Sequence, residues 1–134
     1  QYCSYVTVDP DPQKHLQRCF SCWDSNRRTM SHTRVSYDEV EPRAPGMHFL
    51  RDALDCEELG ITVLDATAGW DGKEHDHDHD DQEEVYLLVD GSATLTVDGE
   101  DVALDAGDAV RVAADATRAL SFDEESQMVI VGAP

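Results

Sequence analysis

Glu84-Val85-Tyr86-Leu87-Leu88-Val89-Asp90-Gly91-Ser92-Ala93-Thr94-Leu95-Thr96-Val97-Asp98-Gly99-Glu100 is the stretch on which the fold turns. Its first part, Glu84–Val89, is a short, mostly apolar run that ends at Gly91. In Ala93–Val97 the apolar Ala93, Leu95 and Val97 alternate with Thr94 and Thr96, the period of two that marks a half-buried strand. Asp98-Gly99 is a strong hairpin signal, because a tight two-residue turn needs positive φ at both central positions. Val102 and Leu104 then continue the pattern on the far side.

The same grammar extends in both directions. Toward the C-terminus, Asp105-Ala106-Gly107-Asp108 reads as a turn, and Ala109–Val112, the Leu120/Phe122 alternation and Met128–Val131 read as strands. Toward the N-terminus, Gly60–Ala66 and Met47–Leu50 read as strands, with a turn or a single helical turn over Asp52–Glu58. Glu41-Pro42-Arg43-Ala44-Pro45-Gly46 is a loop, and Arg34–Val40 is expected to be a short strand. No segment keeps amphipathic helical periodicity over ten residues. The chain is therefore expected to be all-β, a sandwich or barrel of short strands.

At 134 residues the chain has room for one domain with a core and too little for two. Its charge is lopsided, with 29 acids against 10 Lys plus Arg and a net charge of −19. Such a surface repels itself in dilute buffer. At ~1 M salt the Debye length is only about 3 Å and the repulsion is largely screened. The composition therefore suits a salt-loaded, halophilic cytoplasm. A nucleic-acid partner is excluded in the expectation, because nothing here neutralises phosphates. No apolar run approaches a membrane span, and no secretory signal is visible. The protein is expected to be soluble and cytoplasmic, with no membrane partner.

Residues 1–29 differ from the rest. They hold Cys3, Cys19 and Cys22 and only three acids, Asp9, Asp11 and Asp24, whereas the acid excess lies after Met30. They read as an N-terminal extension to a domain over residues 30–134. The alternative is that Tyr2–Val8 adds an edge strand. Cys19-Phe20-Ser21-Cys22 lacks the second pair of a zinc ribbon and the βαβ context of a redox site.

The chemistry concentrates in Gly69-Trp70-Asp71-Gly72-Lys73-Glu74-His75-Asp76-His77-Asp78-His79-Asp80-Asp81-Gln82-Glu83-Glu84. His75, His77 and His79 stand two apart, so in an extended chain they share a face. Imidazole nitrogen is a good ligand for zinc, nickel, copper, iron or manganese. Glu84 heads the next strand on the face of Tyr86 and Leu88, and an inward carboxylate needs a partner. A divalent transition metal held by the histidines would be one. The other reading is a solvated acidic loop that chelates metal loosely.

These residues resemble the first motif of the cupin superfamily, G-x5-H-x-H-x3-4-E-x6-G. Gly69-x5-His75-x-His77 is similar to its beginning and Glu84-x6-Gly91 to its end, but the gap between them is six residues. In a second register, His77-x-His79-x4-Glu84, the gap fits and the first glycine does not. His77 serves in both. Gly107-Asp108-Ala109-Val110 also reads like a cupin, and the resemblance runs from about Met47 to Val131. The acidic wording is similar to small single-domain cupins of haloarchaea. The second motif, G-x5-P-x-G-x2-H-x3-N, is departed from: Gly107 is followed by Ala113, Asp115, Arg118 and Phe122 at its positions. Arg118 thus stands where the resemblance puts a metal-binding histidine.

The resemblance implies a cupin-type double-stranded β-helix, a jelly-roll barrel, that pairs as a homodimer and holds a metal and a small molecule. The metal ligands would be His75, His77 and Glu84, with His79 as a further candidate. Arg118 would pair with Glu84, bind a ligand carboxylate through its planar fork, or lie on the surface. Trp70, Tyr86 and Phe122 are candidate walls of the ligand site. The function implied is metal-dependent chemistry on a small molecule, an oxygenase or isomerase. The alternative is a non-catalytic module that binds a ligand or metal.

Overall fold

A computed structural model describes residues 31–134. The extension read over residues 1–29, its cysteine pair and the suggested strand at Tyr2–Val8 lie outside the described residues.

Among the described residues, nine strands run in chain order: β1 Met47–Phe49, β2 Gly60–Ala66, β3 Trp70–Asp71, β4 Glu83–Asp90, β5 Ser92–Val97, β6 Glu100–Asp105, β7 Ala109–Val112, β8 Arg118–Phe122 and β9 Ser126–Ala133. One helical turn, α1 Arg51–Leu54, follows β1. The strands form two antiparallel sheets, β1-β2-β9-β4-β7 and β3-β8-β5-β6. This is the all-β jelly-roll expected. Among the described residues, no helix is long and apolar enough to cross a membrane.

The quoted stretch folds as its alternation requires. On β4, Tyr86 and Leu88 are buried, and Val85, Leu87 and Val89 on the other face are exposed. β5 pairs with β6 from Ser92↔Asp105 to Val97↔Glu100. The connecting Asp98 and Gly99 have φ of 49° and 80°, the left-handed pair that a tight hairpin turn demands. Asp98 also accepts a hydrogen bond from Thr117 N–H at 2.9 Å, tying this turn to the chain before β8. Gly91, at φ 87°, lets β4 pass into the second sheet. A Cβ there would lie 2.2 Å from Ser126 Oγ, so a larger residue is excluded by space as well as by backbone.

The core lies between the sheets. Leu64, Tyr86, Leu88, Leu95, Val112, Phe122 and Met128 are almost wholly buried, and Trp70 packs edge-to-face on Phe122 at 5.7 Å between ring centroids. Fully burying each such side chain contributes about 1.5–3 kcal/mol, the main offset to the entropy of ordering the chain.

Two elements differ from expectation. Arg34–Val40 is not a strand: Tyr37–Glu39 forms a 3-10 turn, with Ser36 C=O accepting from Glu39 N–H at 3.2 Å. The Ser-Tyr-Asp-Glu wording favours such a turn, since Ser and Asp bond locally in competition with a ladder. The second difference is β3, a two-residue strand pairing Trp70 with Phe122 and Asp71 with Ser121. It is too short to carry an alternating pattern.

Candidate metal centre

The histidine run is held open by backbone pairing. His75 forms an isolated bridge with Arg118: His75 N–H donates to Arg118 C=O at 3.0 Å, and Arg118 N–H donates back at 2.8 Å. His77 N–H donates to Ala114 C=O at 2.9 Å. The segment from His75 to His77 is therefore extended, and both rings fall on one side. The chain then turns at residues 78–81, where Asp80 N–H reaches His77 C=O at 3.2 Å and Asp81 takes φ 56°. That turn breaks the two-residue period before its third member. The His79 side chain is 76% exposed, against 19% for His77.

Glu84, on the inward face of β4, completes the group. One ligand atom from each of His75, His77 and Glu84 lies within 4.8 Å of the others. His79 is not in this cluster. The cluster could hold a divalent metal, and its hydrogen bonds say which atoms would do so. His75 Nδ1 lies 3.0 Å from the carbonyl oxygen of Lys73, which can only accept. Nδ1 therefore carries the proton, and the neutral ring keeps its lone pair on Nε2. His77 Nδ1 lies 3.2 Å from an Asp80 carboxylate oxygen, which fixes the same tautomer. Burial works against the Asp80 carboxylate, but the hydrogen bond from His77, together with the attraction of His77 and His79 when their rings are protonated, holds it below the ordinary carboxylate range.

That leaves His77 Nε2 facing Glu84 Oε1 at 3.4 Å. With a neutral ring these are two lone pairs pointed at each other. The contact is favourable only with a cation between them, either a proton on Nε2 or a metal. Zinc–ligand bonds of about 2.0–2.2 Å allow one ion to touch both atoms. The donor set thus fits a metal, by an orphaned pair of acceptors as well as by residue type.

The other carboxylate oxygen of Glu84 is occupied. Tyr86 O–H donates to Oε2 at 2.5 Å, and Arg118 Nε lies 3.6 Å from the same atom. Burial, reinforced by the neighbouring Glu84 carboxylate, pushes the Tyr86 hydroxyl far above its ordinary pKa, so it stays a donor at any accessible pH. Arg118 is 1% exposed. Its NH2 donates to Ala113 C=O at 2.9 Å and its NH1 to Ala114 C=O at 3.5 Å, while Nε has no hydrogen-bond partner. The guanidinium is thus a buried cation, held by backbone carbonyls and aimed at Glu84.

These side chains line a cavity of about 470 Å³. Trp70, Tyr86 and Arg118 are in its wall, as are Met47 and Leu120. Phe122 stands behind Trp70 in the core. Two contributors have no signal in the motif. Asp80 orients His77 from three residues downstream, and the Lys73 carbonyl orients His75 from two residues upstream. A carboxylate at hydrogen-bonding distance along the chain from a ligand histidine is the one hint that could have found Asp80.

A two-sheet jelly roll with a His-His-Glu cluster opening into its cavity defines a class, and the comparisons place the chain within it. Residues 65–132 match the family model described as "Cupin domain". The chain belongs to the cupin family. Among solved structures it is similar to a cupin protein from Bacteroides fragilis, at 24% identity and TM-score 0.66, covering 78% of this chain and 85% of that one. KdgF from Halomonas sp. aligns at 15% identity and TM-score 0.63, covering 78% and 94%. A sugar phosphate isomerase of the cupin superfamily from Silicibacter pomeroyi aligns at 17% identity and TM-score 0.61, covering 75% of each chain. The comparison with curated proteins found no match.

Proposed function

We propose that this cupin binds a divalent transition metal through Nε2 of His75, Nε2 of His77 and Oε1 of Glu84, and that its cavity holds a small molecule against that centre. The observation that carries the reading is the opposition of His77 Nε2 and Glu84 Oε1 at 3.4 Å, with both histidine tautomers set by partners on Nδ1. When bound, the metal supplies Lewis-acid or oxygen-activating chemistry, and a two-histidine, one-carboxylate set suits iron, manganese or zinc. The residues of the chain do the rest. Tyr86 and Arg118 fix Oε2 of Glu84 and leave Oε1 to the centre, while Trp70, Met47 and Leu120 give the ligand apolar walls. The function is metal-dependent catalysis on a small molecule, of the oxygenase or isomerase kind. The similar structures share the fold alone, so they do not choose between these.

One observation favours a second reading. Arg118 already neutralises Glu84, so the same residues can form a metal-free binding pocket without turnover. Metal analysis of untagged protein purified in high salt separates the two. The first reading expects near-stoichiometric metal that is lost in His77→Ala. Protein that stays metal-free after dialysis against zinc, manganese and ferrous iron sinks it.

The protein is further proposed to work in a salt-rich cytoplasm, on its −19 charge, and as a homodimer. The outer face of the five-stranded sheet supports the dimer. Val85 and Leu87 stand exposed there beside Val131 and Val129 of β9, with the exposed Val89 further along β4.

A further inference from the structure

Twenty-six acids and six basic residues lie in residues 31–134. The six are Arg34, Arg43, Arg51, Lys73, Arg111 and Arg118. Three of them, Arg51, Lys73 and Arg118, line the cavity at the candidate metal centre, and Glu84 is the only acid that lines it with them. Everywhere else in the described residues the acids outnumber the bases by 25 to 3. The charge balance of the protein is therefore reversed at this one place.

The reversal is not an accident of ion pairing. Arg43 and Arg111 also sit on the surface, and each is held by a carboxylate, Asp52 at 2.6 Å and Glu83 at 2.5 Å. Arg51 and Lys73 make no ion pair within the described residues, although acids surround them in the sequence. Arg51 instead donates to the backbone carbonyl of Glu57. They come from separate parts of the chain, Arg51 from the start of α1 and Lys73 from the segment between β3 and His75. The buried Arg118 lines the same cavity, its Nε facing Glu84 Oε2 at 3.6 Å without a hydrogen bond.

From this we infer that the cavity takes a small organic anion, carrying a carboxylate or a phosphate, whose charge is read at the rim by Arg51 and Lys73. The assignment rests on the cavity being the ligand site, as proposed above, and adds the chemical class of the ligand and the residues that select it. Salt screens the acidic surface at long range, so what selects an anionic ligand is the charge it meets at contact, and that charge is positive at this rim. Low-dielectric walls concentrate the field of the two rim cations inward, and the Arg guanidinium and Lys ammonium are donors that fit either anion. Lys73 has a second part in the arrangement, since its carbonyl orients His75. An anion on its ammonium therefore lies next to the segment that carries the metal ligands.

The test uses the full chain in potassium chloride sufficient to keep it folded, with three matched probes: glycerate, glycerol 3-phosphate and glycerol. Ligand-observed NMR and calorimetry are run on zinc-loaded and on metal-free protein. The expected result is binding of at least one anion, with glycerate and glycerol 3-phosphate telling carboxylate from phosphate preference, and no comparable binding of glycerol. In the Arg51→Gln/Lys73→Gln double variant the anion affinity should fall about tenfold, and more chloride should weaken wild-type binding. Both positions are exposed, and a thermal melt checks that the variant is folded. Equal binding of all three probes, no binding of either anion, or unchanged affinity in the double variant overturns the assignment. A zinc titration is read separately. Zinc that does not bind, with anion binding intact on the metal-free protein, sinks the metal reading and leaves this one standing.

Discussion

Removing Arg118 tests the physical argument at its centre. The side chain is wholly buried, and its charge faces a carboxylate that is itself only 12% exposed. In Arg118→Ala the two carbonyls it bonds keep other partners, since Ala113 C=O also accepts from Ala116 N–H and Ala114 C=O from His77 N–H. The carboxylate is what suffers. Glu84 keeps the Tyr86 hydroxyl but loses the neighbouring cation. Breaking a buried pair costs about 3–5 kcal/mol, and the 3.6 Å separation without a formed hydrogen bond places this one near the lower end, about 3 kcal/mol. For a domain of this size that is a fall in Tm of about 12 °C or more. Glu84→Gln strands the guanidinium instead and should cost a similar amount. Saturating zinc changes the comparison, because the metal then supplies Glu84 with a cation. The penalty of Arg118→Ala should shrink, and zinc should stabilise that variant more than the wild type. The assay is a set of thermal melts of wild type, both single variants and the double variant, each with and without zinc. A coupling energy below about 0.5 kcal/mol, the level of independent sites, would refute the claim that Arg118 and Glu84 act as a pair.

Four further outcomes are expected. Tyr86→Phe removes a hydrogen bond to an ionised group and should cost about 1.5–3 kcal/mol, read by denaturant titration; an unchanged midpoint means the hydroxyl does not hold Glu84. In zinc titrations, His75→Ala and His77→Ala should abolish tight binding and His79→Ala should leave it intact; equal small effects of all three describe a loose surface chelator. Protons compete with zinc for imidazole nitrogen, so zinc affinity should fall as the pH is lowered, and a pH-independent affinity argues against histidine ligands. Val85→Asp/Leu87→Asp should convert a dimer to monomers by light scattering, and a monomeric wild type removes the outer-sheet interface.

Much of the architecture was legible because burial and period coincide. On β4, β5 and β9 one face is core, so apolar residues recur every second position and fix both strand and register. Asp98-Gly99 was legible for a different reason: few residue pairs tolerate two successive left-handed conformations. Where neither cause operates, reading fails. Trp70–Asp71 is paired on one side only and spans a single alternation, so its membership in the second sheet is decided by Phe122 and Ser121, fifty residues away. Tyr37–Glu39 has strand-like neighbours in sequence but no ladder partner, and its local Ser and Asp bonds decide its shape.

The site shows the same division. Periodicity nominated three histidines equally, because spacing of two predicts a shared face only while the chain stays extended. What ends the extension is not periodic. Arg118 and Ala114 pin the backbone of His75 and His77 to the segment around the start of β8, and after that the turn at residues 78–81 carries His79 away. Arg118 is the instructive case. The sequence can say that a cation stands where the second motif has a histidine, but not whether it points inward. Its backbone bridge to His75 settles that, and the two facts belong together. The residue that replaces a metal ligand is the one whose main chain holds the first histidine in place, and its side chain neutralises the carboxylate that ends the cluster. A substitution there acts on the centre twice. Arg118→His should therefore keep the backbone bridge, add an imidazole, and release Glu84 from its ion pair. Zinc should bind that variant more tightly than the wild type, while the metal-free variant melts lower. If calorimetry shows zinc affinity unchanged or weaker in Arg118→His, the position is a structural strut rather than a ligand position filled by a cation.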